Sequence, residues 1–276
     1  MVNLLMFTFL CLLILNWNRI KMNTVRAKKR LGQHFLEDKT IAQKIVDSLS
    51  METASVLEIG AGMGVLTQFL LQKENVDLQV VEIDFESVSY LQKHYPALRN
   101  RIIASNFLTL DLSALFPCKF SIIGNFPYNI SNQILFKVLD YKDRISEIVG
   151  MFQKEVAVRI ASKSGNKDYG ILSVFLQAFY DIEYLFTVEA EVFNPPPKVK
   201  SAVIRLKRNA AERLDCDEQM FKTLVKTAFN QRRKTLRNSL KNIQFKEGFT
   251  QEKIFEKRPE QLSVAEFVYL AKQAQF

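Results

Sequence analysis

The sequence predicts an α/β fold: a mostly parallel, Rossmann-like sheet with a small C-terminal helical domain. Three observations carry this. From residue 55 short apolar runs alternate with amphipathic stretches, the pattern of consecutive βαβ units. A glycine-rich segment stands where the first run gives way to a helical pattern. Beyond Arg208 the strand-like runs stop, and Leu and Phe recur at helical spacing. With 276 residues, 48% of them hydrophobic, the chain can bury a full core.

The first 21 residues stand apart from this pattern. Residues 4–15 are almost wholly apolar, like the centre of a signal peptide, yet no Lys or Arg precedes them and no small-residue cleavage site follows. The stretch is also short for a membrane span. Either Met22 is the natural start and the leader stems from an upstream start codon, which is the favoured reading, or the leader is an anchor. Arg19 and Lys21 follow it, so even an inserted leader leaves the rest of the chain in the cytoplasm. A cytoplasmic protein without a membrane partner is expected.

Residues 55–59, 78–83, 101–104, 120–123 and 147–152 read as five strands, apolar enough to be covered on both faces. Between them 65–72, 85–93 and 131–139 have helical spacing, with Ser131 as the expected N-cap of the last. A helix at 154–162, a further apolar stretch at 171–179 and strands at 182–188 and 202–206 follow. Pro195-Pro196-Pro197 is a stiff extended connector, since it offers no backbone donors. The expected organisation is a leader at 1–21, a cofactor-binding catalytic domain at 22–208 and a helical domain at 209–276 without further strands.

The formal net charge is +9 and the positive charge is clustered, which points to a polyanionic partner. One cluster is Arg26, Lys28, Lys29 and Arg30; another is Lys198, Lys200, Arg205, Lys207 and Arg208. The densest runs from Lys222 through Lys226, Arg232, Arg233, Lys234 and Arg237 to Lys241 with no acidic residue between. Cys11, Cys118 and Cys216 are too far apart for a Cys-x-x-Cys pair, so neither a disulfide framework nor a metal site is expected.

Glu58-Ile59-Gly60-Ala61-Gly62-Met63-Gly64 ends the first strand, where glycines allow a tight turn and close approach of a ligand. Glu82 lies 20 residues beyond Gly62, at the end of the next strand, where a carboxylate can accept both hydroxyls of a ribose. The pair points to an adenosine-containing ligand and also fits a dinucleotide site. Spacing separates the two somewhat. A pyrophosphate turn usually has its third glycine three residues after the second, whereas Gly64 follows Gly62 by two. S-adenosylmethionine has no phosphate and makes no such demand.

Gly124-Asn125-Phe126-Pro127-Tyr128 is more specific. It follows an apolar strand and sets an amide, two rings and a rigid kink at the sheet edge where ligands of open α/β folds bind. A target adenine can stack on Phe126 or Tyr128 while its amine donates to the Asn125 oxygen and a backbone carbonyl. The adenine N6 lone pair is delocalised into the ring until two acceptors bend its hydrogens out of plane. A sulfonium is already a strong methyl donor, so in-line placement is what the protein must add. No general base stands out.

Taken together, Gly32-Gln33-His34-Phe35-Leu36, Glu58-Ile59-Gly60-Ala61-Gly62, Glu82-Ile83-Asp84, Gly124-Asn125-Phe126-Pro127-Tyr128-Asn129-Ile130-Ser131 and Phe193-Asn194-Pro195-Pro196-Pro197-Lys198-Val199-Lys200-Ser201-Ala202-Val203 resemble the ribosomal RNA adenine dimethyltransferases. The segment Ala228-Phe229-Asn230-Gln231-Arg232-Arg233-Lys234-Thr235-Leu236-Arg237-Asn238 resembles the small-subunit branch, whose loss gives kasugamycin resistance. The likeness covers residues 25–275. It implies a class I methyltransferase sheet, S-adenosylmethionine as cofactor, and two methyl transfers to each of two adjacent adenines near the 3′ end of small-subunit RNA during late assembly.

It further implies cofactor contacts from His34, Leu36, Glu58, Gly60, Gly62, Glu82, Ile83, Asn106 and Asn125, and catalytic roles for Asn125, Phe126, Pro127 and Tyr128. Arg232, Arg233, Lys234 and Arg237 are expected to grip RNA phosphates while the pocket reads one extruded base. A monomer without metal is expected. The family usually has Asn at His34, Asp at Asn106 and Leu at Phe126. Asn106 is expected to keep an oxygen acceptor but lose a charge; His34 is either a cofactor-facing group or a capped loop residue. Three rival readings are a large-subunit enzyme conferring macrolide resistance, a non-catalytic assembly factor, and a nicotinamide oxidoreductase, for which the third glycine is missing.

Overall fold

The structure is a computed structural model and describes residues 25–50 and 52–275; the apolar leader expected at 1–21 lies outside the described residues. The chain enters through a 3-10 turn at Lys29–Leu31, the short strand β1 (Phe35–Leu36) and helix α1 (Lys39–Asp47). Asp38 caps α1 by accepting from the backbone of Thr40 and Ile41, and Ala42, Ile45 and Val46 form its buried stripe.

The βαβ series follows: β2 (Ser55–Ile59), α2 (Thr67–Leu70), β3 (Asp77–Glu82), α3 (Phe85–His94), β4 (Ile102–Ala104), β5 (Phe120–Asn125), α4 (Ser131–Asp140) and β6 (Ile145–Gln153). Then come α5 (Lys154–Ala161), α6 (Ile171–Gln177), β7 (Tyr180–Val188), β8 (Phe193–Asn194) and β9 (Ser201–Arg208). The C-terminal part holds α7 (Glu218–Asn230), α8 (Leu236–Ser239), β10 (Gln244–Phe245), α9 (Val264–Gln273) and β11 (Ala274–Gln275).

Seven strands form one sheet in the order β4-β3-β2-β5-β6-β9-β7. The first five are parallel, and β9 runs antiparallel between β6 and β7. Successive residues of β5 feed opposite faces: Ile122 belongs to the core cluster that takes in α4 and the C-terminal helices, Ile123 to the one that takes in α1 and α2. Burial on both faces is why these strands read as continuous apolar runs rather than alternating ones.

Three expectations are corrected. Ser131 is the first residue of α4 rather than its cap: Ile130 holds the cap position, and the Ser131 hydroxyl donates to the Tyr128 carbonyl. The C-terminal part is not free of strands, because β10 and β11 pair antiparallel. The predicted helix at 65–72 shrinks to the single turn of α2.

Candidate functional site

Parallel register lines up the C-terminal ends of four neighbouring strands. Glu82 on β3 pairs with Ala104 on β4, Ile59 on β2 with Val81 on β3, and Glu58 on β2 with Ile123 on β5. Along this edge the chain delivers, in spatial order, Asn106, Glu82, the turn at Gly60–Gly62 and Asn125, the four beads of a string laid across an open α/β sheet. With residues 30–35 opposite, they enclose a cavity of about 260 Å³.

The glycine turn is held from beneath. Glu82 accepts from the Gly62 N–H at 3.0 Å with one oxygen and from the Asp84 N–H at 2.8 Å with the other, and burial pushes its carboxyl above the usual carboxylate range. Glu82 lines the cavity, and a carboxylate's two oxygens have acceptor capacity beyond these bonds for a vicinal diol. Gly62 has φ +56°, and a Cβ there would meet the Phe35 ring at 2.8 Å, so the turn admits no side chain. Ile83, 53% exposed, forms an apolar wall of the same cavity.

Glu58 and Leu36 are placed differently from expectation. Neither lines the main cavity; both border a smaller recess behind the turn, shared with Gly60, Gly62 and Asn125. Glu58 accepts the Thr67 hydroxyl at 2.6 Å and, fully enclosed, has its carboxyl pushed up to about 7 by burial. It anchors α2 to β2 beneath the ligand turn.

Asn125 donates its side-chain N–H to the His34 carbonyl at 2.9 Å. A carbonyl only accepts, so the amide nitrogen must face it, and the Asn125 oxygen remains the acceptor. His34 itself donates from Nδ1 to the Pro195 carbonyl at 2.7 Å, which fixes that tautomer by the same logic, and its ring stacks on Tyr128 at 5.5 Å between centroids. It is therefore both a tethered loop residue and part of the cavity wall. The Tyr128 hydroxyl meets the buried Ser201 hydroxyl at 2.5 Å, and burial pushes the phenol upward. Pro127 completes the wall between them.

Phe126 is corrected. Its ring is 1% exposed and packs edge-on against Phe152 at 5.1 Å, over Gly124 and Gly150. The residue borders the cavity, but its ring plugs the core, which leaves Tyr128 as the available stacking ring. Asn106 is corrected as well. It lines the cavity, but its Oδ1 accepts from the Leu108 N–H at 3.0 Å and caps the 3-10 turn Phe107–Thr109, so one lone pair of that oxygen is spent on the chain and the oxygen is turned toward the turn.

Two positioning contacts escaped the sequence reading. Lys137 of α4 donates to the Leu108 carbonyl at 3.1 Å and to the Leu110 carbonyl, with its ammonium over the Phe107 ring; it clamps the loop that carries Asn106. Lys28 pairs with Asp84 and lies 3.1 Å from Glu86, fastening the segment before the cavity wall to the start of α3. Both join residues far apart in sequence and leave no local signature.

The basic clusters also divide. Lys200 pairs with Glu189, Arg205 with Glu183 and Lys207 with Glu52, while Arg208 is spent on the carbonyls of Phe179, Ala211 and Lys142. That second cluster is largely neutralised within the chain, contrary to its reading as a polyanion surface. Of the four residues expected to hold RNA, Arg232 donates to the Lys167 carbonyl and lies 3.9 Å from Glu260, and Arg237 donates to the Thr250 carbonyl at 2.9 Å. Arg233 and Lys234 are exposed, and their side chains have no partner among the described residues.

Among the described residues no group of three or more His, Cys, Asp or Glu is arranged to hold a metal ion, and no helix is long and apolar enough to cross a membrane.

Comparison with known proteins agrees with this geometry. Ribosomal RNA small subunit methyltransferase A of Parabacteroides distasonis is 61% identical over 251 residues, 90% of this chain and 94% of that protein. The protein of the same name from Cytophaga hutchinsonii is 61% identical over 248 residues, 89% of this chain and 96% of that one. In fold, the chain resembles a dimethyladenosine transferase from Plasmodium falciparum (TM-score 0.73, 24% identity, 88% of this chain, 100% of that one). It also resembles the 23S rRNA methyltransferase ErmE (TM-score 0.65, 24% identity, 87% and 100%). A family model described as ribosomal RNA adenine dimethylase matches residues 24–275, and the chain belongs to that family of class I, S-adenosylmethionine-dependent ribosomal RNA methyltransferases.

Proposed function

We propose that this enzyme dimethylates N6 of two adjacent adenines in a hairpin near the 3′ end of small-subunit ribosomal RNA, acting in the cytoplasm on a pre-assembled small subunit. The observation that carries the reading is the placement of Asn125 and Tyr128 at one end of a cavity whose other residues, Glu82 and the Gly60–Gly62 turn, suit an adenosine-bearing ligand. S-adenosylmethionine supplies the electrophilic methyl group. Its ribose suits Glu82 and its base the wall of Ile83.

The chain's own task is orientation. Asn125, fixed by His34, presents an oxygen to the target amine, and Tyr128, fixed by Ser201, offers a face to the unstacked base. Drawing the amine hydrogens toward two acceptors localises the nitrogen lone pair, and the proton released on transfer leaves to solvent. Holding the partners in line supplies several kcal/mol of the barrier without a covalent intermediate. Residues 22–208 would form the catalytic unit, and 209–276, with Arg233 and Lys234 exposed, the RNA-contacting one. A monomer without metal suffices for this scheme.

The fold is shared with a large-subunit methyltransferase, so fold does not choose the target. Relatives at 61% identity named for the small subunit, together with the segment Gln231-Arg232-Arg233-Lys234, favour the small-subunit reading. The test is methyl transfer from labelled S-adenosylmethionine to purified small and large subunits, followed by mapping of the modified bases. Label on adjacent small-subunit adenines is the expected result. Label on the large subunit alone, or none, overturns the proposal.

A further inference from the structure

The four strand ends give the cavity a direction. Neighbouring strands are about 4.8 Å apart, so a ligand whose ribose meets Glu82 at the end of β3 and whose reactive end lies toward Asn125 at the end of β5 must carry its base one strand further out, beside Asn106 after β4. Asn106, Ile83 and Leu108 all line the cavity there.

The amide of Asn106 has two ends. The Leu108 N–H is a donor and needs an acceptor, so the oxygen is the end turned to it at 3.0 Å. The remaining end is Nδ2, a donor, and it has no protein partner among the described residues. Asp at this position would cap with one oxygen and offer the other to the exocyclic amine of an adenine. Asn caps equally well and sets a donor against that amine, an opposed pair.

We infer that Asn106 makes this enzyme's cofactor pocket indifferent to the exocyclic amine of the cofactor base, so that the base is held by its apolar face and not recognised by its 6-position. Leu108 and Ile83 supply the face. The inference rests on the reading of the cavity as an S-adenosylmethionine site. It concerns which atoms of that ligand are read.

Calorimetric binding of S-adenosylhomocysteine, compared with its analogue carrying hydrogen in place of the base amine, tests it without turnover. The natural chain is expected to bind the two within about threefold, and Asn106→Asp to prefer the amine by about tenfold or more, the effect of one hydrogen bond to a charged acceptor. Asn106→Ser keeps a capping oxygen and replaces the fixed amide N–H by a hydroxyl proton free to rotate away from the base amine, and it is expected to bind S-adenosylhomocysteine at least as tightly as the natural chain. A natural chain that already prefers the amine tenfold, or an Asn106→Ser chain that binds several-fold more weakly, overturns the inference. Should Asn106→Asp fail to fold, those two measurements still decide. Failure of every variant to bind S-adenosylhomocysteine would instead remove the cofactor reading itself, a distinguishable outcome.

Discussion

The side-chain amide of Asn125 donates to the backbone carbonyl of His34, 2.9 Å away across 91 residues of sequence. This bond does two things at once: it closes the N-terminal segment over the cavity and turns the Asn125 oxygen into a fixed acceptor. Asn125→Ala removes both. We expect kcat for methyl transfer to fall about 100-fold to 1000-fold, the scale of losing one preorganised polar contact in a transition state. RNA affinity, set elsewhere, should change little. Single-turnover rates beside filter-binding constants check this; full-speed dimethylation by the variant would refute the role.

Phe126 and Tyr128 stand two residues apart and should behave oppositely. Phe126→Ala empties a fully enclosed core position and is expected to cost roughly 3–5 kcal/mol of stability. Tyr128→Ala should cost less stability, about 1–3 kcal/mol for the buried Ser201 hydroxyl it leaves without its partner, and should weaken use of the RNA substrate by roughly 1–3 kcal/mol, the range for one base stacked on an aromatic ring. Chemical denaturation paired with kcat/KM separates them. A stable Phe126→Ala protein would mean that its ring does not plug the core.

Arg233→Gln and Lys234→Gln should each flatten the dependence of log Kd for RNA on log salt by about one unit, with no loss of stability. Arg232→Gln is expected to act through the fold instead, because its guanidinium holds the Lys167 carbonyl and faces Glu260. Affinity titrations at several salt concentrations, with thermal melts of the same samples, distinguish a phosphate contact from a brace. An unchanged slope in both exposed variants would remove them from the RNA surface.

Glu58 predicts a pH effect. In the folded chain it keeps its proton up to about pH 7, whereas an unfolded carboxyl releases it near 4.5. Between those values the folded state binds more protons, so the neutral carboxyl's contribution is fully present below about pH 4.5 and is lost as pH rises to about 7. The loss is at most roughly 3 kcal/mol. Glu58→Gln still accepts from Thr67 and lacks the titration, so its advantage over the natural chain should grow across that window and level off above it. Melting curves of the ligand-free proteins from pH 4 to 8 measure this, and parallel curves would show that Glu58 does not titrate there.

Much of the sheet was legible because strands covered on both faces leave unbroken apolar runs, and the 55–59 strand emerges with its predicted bounds. The pairing of β1 with β8 was not, since two residues bonded to a segment 157 or more positions away create no period. Charge misled for a related reason: Arg205 meets Glu183 only because β9 and β7 are neighbours in register, which a one-dimensional count of cations cannot reveal. Phe126 looked like a stacking ring because the motif fixes its neighbours but not which way a ring turns. Asn106 is the instructive case. Asn is a favoured cap residue, and a cap at the start of a short turn was a local signal available in the sequence.

Gly124 and Gly150 are register partners on β5 and β6, and side chains built on either would collide with the Phe126 ring. Two missing methyl groups thus form a notch that accepts the ring and pulls the following Pro127 and Tyr128 to a set height above the sheet. The aim of the reactive loop is consequently written partly in Gly150, a residue on the neighbouring strand that does not line the cavity. Variants altered at Gly150 lie away from the reaction and yet should lose it.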